Sequence, residues 1–129
     1  MVGFLLEREM NQVNYSQMVM ALAKPSEKIL ELHNMFPEMA HLQHMALGVS
    51  GEVGELVDAI KKHTVYGKII DRENVIEELG DIEFYLEGIR GSLGISREET
   101  IMHNQQKLSI RYASGGYSDK QAQERADKN

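Results

Sequence analysis

Glu52-Val53-Gly54-Glu55 and, further along the chain, Glu78-Leu79-Gly80-Asp81 each carry two carboxylates three residues apart. On a helix that spacing sets both side chains on one face a single turn apart, so two such helices packed together aim four carboxylates at one point. Two like charges about 4 Å apart repel by about 4 kcal/mol at an effective dielectric near 20, so without a cation the cluster must protonate or splay. A ligand set made only of oxygen, with no Cys or His in it, favours a hard divalent ion, Mg2+ or Mn2+, over zinc.

Both acidic pairs lie in helical patterns. From Glu38 to about His63 the apolar residues Leu42, Ala46, Val49, Val53, Leu56 and Ile60 step by four and three, which marks a helix seam. Beside it runs a second stripe, Met45, Gly48, Glu52, Glu55, Ala59 and Lys62, which places the acids at the edge of the core. Gly48, Gly51 and Gly54 each cost about 1 kcal/mol relative to Ala in a helix interior, and the close approach of a neighbouring helix or a ligand, or a kink, would favour them. Residues 64–71 contain Gly67 and read as a loop, with Asp71 as the N-cap of a helix from Arg72 to Leu93. There Val75, Leu79, Ile82, Leu86, Ile89 and Leu93 form the seam, and Glu78, Asp81 and Tyr85 the side stripe. Gly91 and Gly94 close this helix, and Ser96-Arg97-Glu98-Glu99 opens the next as a capping box. On that helix Ile101, Leu108 and Tyr112 continue the seam beside a polar stripe of Asn104, Lys107 and Arg111.

Towards the N-terminus, a short helix is expected from Tyr15 to Ala23, ended by Lys24-Pro25, and a second from Ser26 to about Asn34, ended by Phe36-Pro37. The division expected is an N-terminal arm with short helices over residues 1–37, a helical domain over 38–116 and a tail over 117–129. The tail has almost no apolar face and should fray unless a partner holds it. With no convincing alternating strand, the fold class is all-α: a helical bundle whose four-helix core is completed by oligomerisation, because the seams expose more apolar stripe than two short helices cover.

Composition narrows the function. A chain of 129 residues with 42% hydrophobic content buries one core. The absence of Cys removes disulfides, thiolate metal sites and a cysteine nucleophile, and it suits a reducing cytoplasm. Val2-Gly3-Phe4-Leu5-Leu6 is too short for a signal core or a membrane span. A formal net charge of −6 argues against a nucleic-acid surface, so any phosphate handled here needs a metal between it and the protein. Asp58, Glu77, Glu83 and Glu87 fall away from the seams and read as solvated. Glu38-Met39-Ala40-His41 matches half of a di-iron bundle motif, but no second Glu-x-x-His exists. Arg72 to Gly80 imitates a Nudix signature with the wrong internal spacing, and no P-loop is present.

Gly51-Glu52-Val53-Gly54-Glu55-Leu56, then Glu77-Glu78-Leu79-Gly80-Asp81, then Asn104-Gln105-Gln106-Lys107-Leu108 with Arg111-Tyr112, together resemble the MazG-like all-α nucleoside triphosphate pyrophosphohydrolases. The resemblance covers about residues 40 to 117. It implies a helical, metal-dependent enzyme that cleaves an NTP or dNTP between the α and β phosphates, releasing a nucleoside monophosphate and pyrophosphate, and that works as a homodimer or homotetramer. By position it implies that Glu52, Glu55, Glu78 and Asp81 hold Mg2+ and that Asn104, Lys107 and Arg111 meet phosphates or base. Glu52 or Glu55 can serve as general base, and the residues leave both open. Two alternatives stand beside this reading: a non-catalytic helical module that binds a structural cation or a basic partner, and a pyrophosphohydrolase acting on phosphoribosyl-ATP or an alarmone.

Overall fold

The structure, a computed structural model, describes residues 14–129 together with Gly3. The start of the arm expected over residues 1–37 thus lies almost wholly outside the described residues. The chain divides into two units, Met1–Met39 and Ala40–Asn129. In the first, residues 14–22 form helix α1 and Ser26–Met35 form α2. Between them Lys24-Pro25 breaks the helical run where the sequence requires it, and the Pro25 carbonyl accepts from Lys28 N at 3.0 Å to open α2.

The second unit is built on long helices: α3 (Glu38–Thr64, all but its first two residues), α4 (Arg72–Leu93) and α5 (Arg97–Arg111), followed by the short α6 (Asp119–Glu124) and a 3-10 turn over Ala126–Lys128. No strand occurs among the described residues, and the fold is all-α. The ends obey local chemistry. Asp71 caps α4 by accepting from Asn74 N at 3.1 Å, and Gly94 ends it in the left-handed conformation at φ 67°. Ser96 caps α5 by accepting from Glu99 N at 3.0 Å. In the α3–α4 loop Gly67 takes φ 69°, and the Lys68 carbonyl lies 2.6 Å from a ring nitrogen of His63.

α3 and α4 run antiparallel. Met45 lies against Gly88, Gly48 against Tyr85, and Glu52 and Glu55 come close to Glu78, so residue numbers fall along α4 as they rise along α3. A Cβ at Gly48 would collide with the Tyr85 ring, and one at Gly88 would collide with the Met45 side chain. These glycines let the helices approach, which accounts for Gly48; Gly51 and Gly54 face open space.

This contact corrects the reading of α3. The residues of α3 buried most deeply lie on the second stripe, which also carries the half-buried Gly48 and Glu52, while the more apolar seam is half-buried at Leu42, Val49 and Leu56. Met45 and Ala59 are the buried apolar residues of the described chain, whereas Ala46, Val53 and Ile60 are exposed. Of the acids, Glu78 is buried and Glu52 half-buried in the α3–α4 contact, while Glu55 is exposed at its border.

Candidate metal centre

Glu52 is half-buried on α3, Glu55 lies exposed one turn on, and Glu78 on α4 is buried. One carboxylate oxygen from each lies within 4.8 Å of the others. Asp81 is half-buried one turn beyond Glu78. Its oxygens fall outside that group, yet its charge is near enough to act on Glu78. Glu52 Oε2 and Glu78 Oε2 are enclosed and have no hydrogen-bond partner. A buried carboxylate oxygen without a partner is costly, and a low-dielectric contact between two helices makes it more so.

The electrostatics carry the same strain. Glu78 is pushed up from 4.5 to about 7, first by burial, then by the facing carboxyl of Glu52, then by the charges of Glu55, Glu52 and Asp81. Without a cation the cluster keeps a proton that an ordinary glutamate releases. A divalent ion fits this donor set: several oxygens converge, two of them otherwise orphaned, with no sulfur or imidazole among them. His44 instead stands edge-on to Tyr85, with ring centroids 6.1 Å apart, and no histidine joins the cluster.

The other acids behave as the sequence implies. Asp58 pairs with Lys62 at 3.6 Å, and Glu83 and Glu87 flank Arg90 at 3.6 and 2.9 Å, all with exposed carboxylates. Arg90, which no motif singled out, thus engages both Glu83 and Glu87 on its own helix.

A family model for the MazG nucleotide pyrophosphohydrolase domain matches residues 40–114, which spans all of this geometry. The chain belongs to the MazG nucleotide pyrophosphohydrolase family. Searches of curated proteins and of solved structures return no match. The MazG match takes in both acidic pairs and all of α4 and α5, and it stops before α6.

On α5, Asn104 and Lys107 are exposed, and Lys107 makes no ion pair among the described residues. Arg111 differs. Its Nε donates to Asp127 Oδ1 at 2.7 Å and its Nη2 to Oδ2 at 3.2 Å, with the side chains only 15% and 4% exposed. This pair holds Arg111 further above its ordinary value and Asp127 below its own, in each case chiefly through the shared hydrogen bonds. The tail expected to fray is therefore tied to α5. Asp127 sits 16 residues from its partner, and no local pattern in the sequence encodes such a pair.

No helix among the described residues is long and apolar enough to cross a membrane.

Proposed function

We propose that the chain is a Mg2+-dependent nucleoside triphosphate pyrophosphohydrolase, with Mn2+ able to substitute, that cleaves an NTP or dNTP between the α and β phosphates. The observation that carries this is the pair of enclosed, unpartnered oxygens, Glu52 Oε2 and Glu78 Oε2, within a group of three converging carboxylates. Glu52, Glu55, Glu78 and Asp81 are the proposed ligands. When bound, the ion offsets the triphosphate's charge against this acidic protein and polarises the scissile phosphoryl group. Glu52 or Glu55 takes the proton of the water that attacks the α phosphorus, and the bond to the β phosphate breaks to release pyrophosphate. Lys107 and Arg111, with Asn104 one turn earlier, face the phosphates and counter the charge of the leaving pyrophosphate.

The working form we propose is a homodimer or homotetramer in the cytoplasm. Its support is the apolar surface left open on the second unit: Val53, Val57 and Ile60 on α3 and Ile76 and Leu79 on α4 are exposed. A hollow of about 270 Å3 lies between Ile60, Ile70, Val75, Ile76 and Leu79. A second copy laid on that face completes a four-helix core.

The experiment is product analysis over a panel of NTPs, dNTPs, phosphoribosyl-ATP and a nucleotide alarmone, with Mg2+ and with chelator. Monophosphate and pyrophosphate formed only with the metal are expected from a triphosphate. Release from phosphoribosyl-ATP or the alarmone alone would move the substrate class, and no release from any of them would leave a non-catalytic cation-binding module.

A further inference from the structure

The C-terminal segment after Gly116 lies beyond the family match and ends on a residue that the proposed chemistry needs. Asp127 engages Arg111 through the Nε–Nη2 edge of the guanidinium, with one carboxylate oxygen on each nitrogen. That is the edge and the two-point geometry with which arginine takes a phosphate. A carboxylate of the chain itself therefore takes the edge of Arg111 that a phosphate would use. With Asp127 only 4% exposed, water does little to screen the contact.

The segment is held to α5 by the Arg111–Asp127 pair, the Ser114–Gln121 contact and the Tyr117 ring lying 5.9 Å from that of Tyr112, and not by a buried core. Neither α6 nor the 3-10 turn buries a residue. Ser118 caps α6 through Gln121 N at 3.0 Å, Ser114 Oγ meets Gln121 Oε1 at 3.0 Å, and Tyr117 donates to Asp119 at 2.6 Å. Between the two elements Arg125 takes φ 49°, the positive-φ non-glycine among the described residues, and this bend carries Asp127 back to α5. A side chain in the left-handed region is strained, so the chain reaches Arg111 at a conformational cost. A segment with no buried apolar anchor and a strained bend is drawn from the least stable part of a fold and can leave at low cost.

We propose that residues 117–129 form an autoinhibitory strap: Asp127 occupies Arg111 in the place of a substrate phosphate and is displaced when the triphosphate binds. The proposal rests on Arg111 being a phosphate contact, as in the function above. It makes the strap a competitor in cis, acting on affinity and not on the chemical step.

The test uses the full chain and inorganic pyrophosphate with excess Mg2+, titrated calorimetrically. Asp127→Asn should bind pyrophosphate about tenfold more tightly, within the usual range of such couplings, and should add nothing in an Arg111→Gln background. In steady state the gain should appear in KM with kcat unchanged. Pyrophosphate binding no tighter in Asp127→Asn than in the unaltered chain would overturn the proposal and leave the pair a tie of the fold. Should Asp127→Asn fail to fold, Arg125→Gly carries the test: it keeps both partners and removes the strain, so it should bind pyrophosphate more weakly, and equal or tighter binding would refute the strap. Tighter pyrophosphate binding by Asp127→Asn in a chain that hydrolyses no triphosphate keeps the strap and removes the hydrolase reading; hydrolysis with unchanged binding and KM does the reverse.

Discussion

The α3–α4 contact and the end of α5 both enclose charge, and they treat it in opposite ways. Between α3 and α4, carboxylates converge, two of their oxygens lack a protein partner, and Glu78 is raised to about 7. At the end of α5, Arg111 and Asp127 satisfy one another through two hydrogen bonds. Removing charge from the first place relieves the fold, because what is lost is repulsion and desolvation. Removing Asp127 from the second opens a two-point donor edge on Arg111 that an anion from outside can take. A charged site that is incomplete within its own chain is built for something added from outside.

The largest effect should come from replacing ligand carboxylates. Glu55→Gln and Asp81→Asn keep shape and remove charge, and each is expected to lower turnover by at least about a hundredfold with the helical fold intact. Near-normal turnover in either, read beside circular dichroism, would break the proposed division between the two regions.

Melting curves sharpen the same contrast. At a Mg2+ concentration about a hundred times its dissociation constant, mass action adds about 2.7 kcal/mol, on the order of ten degrees for a chain of this size. The metal-free protein has the opposite dependence from a salt-bridged acid. Glu78 is raised in the folded state from 4.5 to about 7, so between those values the folded chain holds more protons than the unfolded one, and stability falls as pH rises through that window. Below the window the cluster is protonated and tolerated. Saturating Mg2+ should flatten the slope by replacing the proton, and a metal-free curve insensitive to pH from about 4 to 7 would contradict a converging cluster.

Lys107 gives the smallest and most selective effect. Exposed and without an ion partner among the described residues, it should act on substrate alone. Lys107→Ala is expected to lower kcat/KM about tenfold, about 1.4 kcal/mol, with little change in melting. A variant that melts several degrees lower and hydrolyses normally would place it in the fold instead.

Much of this was legible because the decisive signals are local. Asp71 and Gly94 mark the ends of α4, Ser96 marks the start of α5, and the two acidic pairs declare themselves by spacing. Less legible was which stripe of α3 turns inward. Periodicity shows that a helix has an apolar face, but two neighbouring stripes competed. The outcome was decided by whether Gly48 and Gly88 could admit Tyr85 and Met45, a property of the pair of helices and not of either alone. Arg111 shows the same limit at longer range, since its spacing on α5 is visible and its partner in the 3-10 turn is not.

The claim on which the rest depends is that the incomplete carboxylate cluster is a divalent-ion site. Titration of the metal-free protein with Mn2+, followed by electron paramagnetic resonance, tests it without requiring turnover or a known substrate. Saturable Mn2+ binding that Mg2+ displaces, and that is lost in Glu78→Gln while the variant stays folded, is the expected result. Mn2+ left free in solution, or bound equally well by the unaltered chain and by Glu78→Gln, would contradict it.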